Sequence, residues 1–255
     1  MDTTGRTVFI PGATSGIGLA LALRLQAAGS TVVVGGRRTD LLRAITAEHG
    51  LEGVTVDTAD PASITAAAAQ VLAAHPDLDT LVTMAGIMRA EDWTTSDGFL
   101  ATAEETVGTN VLGPVRLVAA FVDHLRTRPG AVVMTVSSGL ASVPLAATPT
   151  YNASKAFVHM LSESVRLQLA PTGVRVVELV PPAVQTALMP GHETSETAMP
   201  LEEYVDEVMD ILRDQPDATE VLVERVELLR YAEVRGDYDQ VVGMLNGTVA
   251  PPGTP

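Results

Sequence analysis

At 255 residues, with 46 % apolar and 18 % charged side chains, the chain is long enough to bury one large core and too apolar to be disordered. Its formal charge of −15 speaks against partners that present phosphates, nucleic acid and anionic membrane surfaces alike. With no cysteine it has no disulfide, no thiolate metal site and no cysteine nucleophile.

The opening residues, MDTTGRTVFIPG, lack the basic-then-apolar design of a signal peptide. No apolar run approaches the roughly 18 residues of a membrane helix, so a soluble cytoplasmic protein without membrane or nucleic-acid partners is expected. Much of the negative charge is local: residues 201–240 hold 13 acids against 4 arginines, which reads as a solvated acidic surface.

Seven short, mostly apolar runs rich in β-branched residues read as strands, at 7–10, 31–36, 53–56, 78–84, 131–136, 174–180 and 219–223. Helical patterns separate them, at 17–28, 39–48, 61–74, 102–126, 151–170 and 201–213. In the last of these Leu201, Val205, Val208, Met209 and Leu212 share a face, and Pro200 with the acids of the first turn suits a helix start. A further helix is expected within 224–247. Strands alternating with helices predict an α/β fold, a Rossmann-type doubly wound parallel sheet of seven strands with helices on both faces.

After the first strand comes PGATSGIGLALAL, with Gly12, Gly16 and Gly18 spaced as in a dinucleotide loop. Glycine lets the chain turn tightly and lets backbone N–H groups approach a pyrophosphate at a helix N-terminus. A lone glycine triplet is a weak signal; its place between an apolar strand and a helix is the context that strengthens it. At the end of the second strand, where an acid would bind the adenosine ribose hydroxyls, the chain reads GGRR. Gly36 followed by Arg37 and Arg38 suits a 2′-phosphate, so NADP(H) is expected over NAD(H). Asp57, after the third strand, suits either the adenine amino group or a cap for the turn DTADP.

Lys155 is the only lysine in the chain, and it stands four residues after Tyr151 on a predicted helix, hence one turn away on the same face. A free phenol has a pKa of about 10. A neighbouring ammonium favours the phenolate, so a lowered Tyr151 is expected. Arginine, a planar fork, does not replace lysine in that role. Ser137 and Ser138 follow the fifth strand, at the strand end where α/β sheets bind ligands. Asn110, inside a long apolar helix, is an amide for which propensity offers little reason and which needs partners if buried.

Together these residues resemble the short-chain dehydrogenase/reductase family of the 250-residue type, over residues 5 to about 225. The carrying motifs are PGATSGIG, VDTAD, MAGI, TNVLG, VSSGLAS, YNASK and VPPAVQT, in the family's order. The stretches SSGLASVPLAATPTYNASK, VELVPPAVQTAL and MPLEEYV are further similar to the DltE-type oxidoreductase subgroup, whose name defines no reaction. The family's serine stands 13 positions before its tyrosine, which selects Ser138 over Ser137. The resemblance implies a catalytic tetrad of Asn110, Ser138, Tyr151 and Lys155. Tyr151 would be the acid/base, and Ser138 would hold the carbonyl oxygen. Lys155 would tune Tyr151 and bind the nicotinamide ribose, and Asn110 would hold a water in a proton relay. The cofactor would run along Gly12, Thr14, Ser15, Gly16, Ile17 and Gly18, then Arg37, Arg38 and Asp57, then Ala85 and Gly86. It would end against Tyr151, Lys155, Pro181, Val184 and Thr186.

The expected function is NADPH-dependent reduction of a ketone or aldehyde to an alcohol, or the reverse, by hydride transfer. The competing reading is a non-catalytic NADP-binding regulator, and an extended-type epimerase would need a substrate domain for which little chain remains. Substrate walls are expected from Met88, Trp93, Leu140, Val143, Leu145, Leu188 and Met189. His192, in the 184–200 loop, reads as an exposed loop histidine, with substrate contact the alternative; no metal site is expected. His159 reads as a packing or interface residue. Residues 1–247 are expected as one dinucleotide-binding and catalytic domain, with a flexible tail at 248–255. The resemblance also implies a homodimer or homotetramer built on the 102–126 and 151–170 helices. Three positions depart from the family pattern: Pro11, Thr83-Met84 and Pro182. None belongs to the tetrad.

Overall fold

The computed structural model describes residues 3–247; the expected tail at 248–255 lies outside the described residues. Seven parallel strands form one sheet in the order β3-β2-β1-β4-β5-β6-β7. They are β1 (Thr7–Pro11), β2 (Thr31–Gly36), β3 (Glu52–Thr55), β4 (Thr80–Thr83), β5 (Val132–Val136), β6 (Arg175–Val180) and β7 (Glu220–Leu222). Each falls where an apolar, β-branched run predicts it, with ends differing by at most two residues.

The strands are buried on both faces, so their residues alternate between two cores rather than between core and water. Val8 and Ile10, Val32 and Val34, and Val132 and Met134 face one core. It is completed by α1 (Gly16–Ala27), α2 (Thr39–His49) and α7 (Leu201–Asp214) through Leu21, Leu25, Leu42 and Val208. Phe9, Val33 and Val133 face the other, with Ile64 of α3 (Pro61–Ala74) and Leu117 and Phe121 of α5 (Gly113–Leu125). Burying each large side chain contributes about 1.5–3 kcal/mol. Helix α6 (Pro149–Leu169) packs on β6 and carries its polar face toward the strand ends.

The sequence predicts one helix over 102–126; the structure instead has α4 (Leu100–Thr106), a π-helical segment Val107–Leu112, then α5. Pro114 accounts for the interruption. It has no N–H to offer the carbonyl four residues back, that of Asn110, so the α-helical ladder cannot close there. Single π turns of this kind cluster at functional sites. Likewise the last segment is three short helices, α8 (Glu224–Arg230), α9 (Ala232–Arg235) and α10 (Tyr238–Leu245), broken at Gly236 with φ of 80°. Val241 and Ala232 pack on Val143 in a small core of their own, which docks this segment over the loop after β5.

Strand order reverses between β1 and β4. The loops leaving those two strands therefore diverge, and a cleft opens at the C-terminal edge of the sheet.

Candidate active site

The cleft is a cavity of about 600 Å³ that runs from the loop after β1 to the C-terminal helices. At its first end the glycine loop lies against the chain leaving β4. A Cβ on Gly12, whose φ is +94°, would stand 2.5 Å from the Ala85 Cα. One on Gly18 would stand 2.8 Å from the Gly12 carbonyl oxygen and 2.9 Å from the Met84 side chain. Neither position tolerates a side chain. Thr14, Ser15, Gly16 and Ile17 complete the rim. Ser15, at the start of α1, makes no side-chain cap, which leaves the first N–H groups of the helix facing the cleft.

Arg38 donates from Nη2 to the hydroxyls of Thr14 (2.8 Å) and Ser15 (3.3 Å), so its guanidinium is held beside the glycine loop. Arg37 is not free of acids: its Nη1 lies 3.9 Å from Asp57 Oδ2, a pairing that sequence separation hides. Asp57 Oδ1 accepts from the Ala59 N–H at 3.0 Å, so the turn-capping reading of Asp57 holds, and the residue also lines the cleft. Gly36 has a packing reason of its own. A Cβ there would meet Thr14 Cγ2 at 2.4 Å, so a larger residue at that position would require the Thr14 side chain to turn away.

In the middle of the cleft, Ser138, Tyr151 and Lys155 converge from β5 and α6. Ser138 Oγ accepts from the Leu140 N–H (3.1 Å), which caps the short turn after β5, and its hydroxyl donates weakly to the Pro181 carbonyl (3.5 Å) while facing the Tyr151 phenol. Lys155 Nζ donates to the Val136 carbonyl (2.9 Å) and stands 5.5 Å from the centre of the Tyr151 ring. Both side chains are buried, and this reverses one expectation. Burial pushes the Tyr151 phenol up to about 12, with the Ser138 hydrogen bond opposing it, and pulls the Lys155 ammonium down to about 8. Desolvation disfavours each charged form more strongly than the neighbours favour it. Tyr151 therefore holds its proton at neutral pH.

Asn110 lies behind the cavity wall, not in it. Its Oδ1 accepts from the Ile87 N–H (2.9 Å), and its Nδ2 donates to the Ile87 carbonyl (2.9 Å) and to Ser154 Oγ (3.2 Å). The amide thus clamps the loop after β4 to α6. Both of its N–H groups are committed, which leaves its side chain little to offer a water. Ala85, Gly86 and Met88 line the cleft from that loop.

Among the expected substrate walls, Leu140, Leu145 and Leu188 line the far end, with Pro181, Val184 and Thr186 between them and Tyr151; His192, expected as an exposed loop residue, lines it as well. Met189 does not line it. Two further expectations are corrected. Trp93 is 55 % exposed and outside the cavity, where it stacks on Phe99 (centroids 4.1 Å apart) and donates from Nε1 to Glu91 (2.9 Å). Val143 is buried beneath α9 and α10 and faces away from the cavity. Sequence reasoning missed Leu229 and Leu245, which close the far end from the C-terminal segment, and Arg89 and Thr197 at its edge. The Asn246 side chain fastens that segment, accepting from the Ala146 N–H (2.7 Å) and donating to the Pro144 carbonyl (3.0 Å). No sequence pattern marks these contacts; they are made 100 residues apart or more.

Of the three departures from the family pattern, Thr83 donates weakly to the Met134 carbonyl (3.5 Å), and Met84 packs under Gly18. Pro182 lines the cleft. Pro11 ends β1, and the ladder resumes at Gly12, whose N–H bonds the Gly35 carbonyl at 2.8 Å.

A dinucleotide fits this cleft on its own terms. The loop is closed to side chains at Gly12 and Gly18, a helix N-terminus opens onto it, and Ser137 Oγ, buried on the cleft wall, has no hydrogen-bond partner among the described residues.

Comparison with known proteins agrees. The family model described as short chain dehydrogenase matches residues 6–197. The oxidoreductase DltE of Bacillus subtilis is 36 % identical over 253 residues, covering 96 % of this chain and 98 % of that protein. A short-chain dehydrogenase of Burkholderia cenocepacia, solved in complex with NADP, superposes with a TM-score of 0.80 at 23 % identity, covering 98 % of this chain and 100 % of that one. The 3-ketoacyl-(acyl-carrier-protein) reductase of Brucella melitensis, solved with NADH, gives 0.76 at 23 % identity, covering 87 % of this chain and 97 % of that one. With the glycine loop, the sheet order and the Ser138–Tyr151–Lys155 group in place, the chain belongs to the short-chain dehydrogenase family of NAD(P)-linked oxidoreductases.

Proposed function

We propose that this oxidoreductase reduces a small ketone or aldehyde to its alcohol, with NADPH as the preferred cofactor. The observation that supports this best is the meeting of Ser138, Tyr151 and Lys155 in a cleft whose other end is the glycine loop. When bound, the nicotinamide supplies the hydride. Backbone N–H groups of the glycine loop and the first turn of α1 hold the pyrophosphate, and Arg38 and Arg37 take the 2′-phosphate. Ser138 Oγ donates to the substrate oxygen. Tyr151 Oη, which keeps its proton at neutral pH, delivers it to that oxygen as negative charge develops there. Lys155 stabilises the phenolate left behind and donates to the nicotinamide ribose. Asn110 braces the loop that forms the floor through Ile87.

The far end, walled by Leu140, Leu145, Leu188, Leu229 and Leu245, suits a substrate with an apolar flank. Residues 1–247 act here as one catalytic unit. The exposed Val115, Phe157, Met160 and Leu167 on α5 and α6 suit burial in a homodimer or homotetramer, and a cytoplasmic location completes the proposal. Among the described residues no helix is long and apolar enough to cross a membrane.

The test is NADPH oxidation by the purified protein against a panel of ketones, diketones, aldehydes and quinones, with NADH and Tyr151→Phe in parallel. Turnover should fall by about 10²- to 10⁴-fold in the variant, with NADPH affinity unchanged. An active Tyr151→Phe enzyme overturns the assignment. A wild-type protein that binds NADPH tightly and reduces nothing would favour the regulator.

A further inference from the structure

Glu178 of β6 is fully buried, where an unpaired carboxylate would be costly. Its surroundings compensate it in an ordered way. Tyr151, Lys155 and His159 follow one another at intervals of four along α6, so they share a face. The first two stand in the cleft. The third points its Nδ1 at both Glu178 oxygens, at 3.0 and 2.9 Å. Beyond it, Glu220 of β7 lies 3.9 Å from the same nitrogen and receives both arms of Arg230 from α8, at 2.8 and 3.1 Å. His159, Glu178 and Glu220 have ligand atoms close enough for a divalent ion, but Arg230 already occupies both Glu220 oxygens, so the group reads as a chain of alternating charges.

The chain ends at Lys155. Its Nζ bonds the Val136 carbonyl; Thr135, the preceding residue, is paired with Glu178 in the β5–β6 register. Among the described residues Lys155 makes no ion pair, and Glu178 is the acid whose field favours its ammonium. We propose that Glu178 is a positioning residue for this active site: its buried carboxylate, held by His159, supplies the negative charge that keeps Lys155 an ammonium at the cleft. The proposal rests on the reading of Lys155 given above.

The sign follows from the groups present. Burial has already brought Lys155 down to about 8, so its charge is complete well below that pH and is lost as pH rises through it. Glu178 opposes that fall. The other titratable and charged groups around the pair are Tyr151 and His159 on α6, Glu220 on β7 and Arg230 on α8; Arg230, a permanent cation, disfavours the His159 imidazolium, and as a like charge it opposes an ammonium at Lys155 by Coulomb repulsion. Removing Glu178 should therefore lower the Lys155 midpoint, and removing Arg230 should raise it.

Because Lys155 is the only lysine, labelling with [ε-13C]lysine gives one side-chain resonance, whose pH titration reads this group alone. Glu178→Gln keeps an acceptor for His159 and should lower the midpoint by about one pH unit. Arg230→Met should raise it by a smaller amount. Opposite shifts support the proposal. An unmoved midpoint in Glu178→Gln, or a shift of the same sign in both variants as loosened packing would give, overturns it. Should Glu178→Gln fail to fold, Glu178→Asp, which keeps the carboxylate and draws its charge back by one methylene, decides: a lowered midpoint supports the proposal, and one that stays or rises overturns it. The alkaline limb of kcat/KM for NADPH-dependent reduction should follow the midpoint in each variant. A midpoint that moves while that limb stays still would leave the charge chain standing and remove Lys155 from the reaction.

Discussion

The two ends of the cleft are built on different principles. The cofactor end comes from short, contiguous motifs: Gly12 to Gly18 on one strand-to-helix turn, Arg37 and Arg38 on the next, and Ala85 and Gly86 on a third. Its requirements are backbone requirements, namely a positive φ, a close approach between chains and unpaired N–H groups, and each demands a particular residue type. The far end gathers Met88, Leu140, Leu145, Leu188, Leu229 and Leu245 from across more than 150 positions of the chain. What it requires is apolar volume, which many residues supply. One end is intolerant of change and the other is adjustable, as expected of a scaffold that keeps its cofactor and varies its substrate.

That contrast can be broken at either end. The largest effect should come from Gly12→Ala. Its Cβ would collide with the Ala85 backbone at a φ that side chains avoid, and we expect a stability loss of about 3 kcal/mol or more together with loss of NADPH binding. Chemical denaturation and a fluorescence titration check both, and a stable, cofactor-binding variant would refute the close approach. Next, Arg38→Ala removes a guanidinium held by Thr14 and Ser15. NADPH affinity should fall by roughly tenfold or more, with NADH little changed. Equal losses for both cofactors would mean that Arg38 shapes the loop instead of reading the phosphate.

At the far end, Leu229→Ala should change KM and substrate preference by up to about tenfold while NADPH affinity stays within twofold. A matching loss of cofactor affinity would show that the two ends are not independent. The smallest effect belongs to Trp93→Ala. With the ring stacked on Phe99 in the open, stability should change by less than about 1 kcal/mol and KM should not move. A raised KM would return Trp93 to the substrate path.

The difference between the ends is also a difference in legibility. Strand alternation, the glycine spacing and the Tyr151–Lys155 interval are periodic or local, so the sheet, the cofactor loop and the central group can be read from the chain alone. Helix 102–126 misleads because its apolar period continues through Gly113-Pro114. Only the missing N–H of Pro114, set against the carbonyl of Asn110, reveals the π turn. Trp93 misleads in the opposite way: a large ring after β4 suggests a wall, yet the chain turns it outward onto Phe99.

By itself the sequence determined the α/β alternation, the order of the motifs, the glycine loop and the Tyr151–Lys155 pair at the centre of the cleft, because those depend on periodicity and on interactions within a few residues. The tertiary structure alone decided the protonation of the central group, the partner of Arg37, the buried charge of Glu178 and the closing of the far end by Leu229 and Leu245. Desolvation and long-range packing depend on what surrounds an atom in space, and residues a hundred positions apart supply those surroundings.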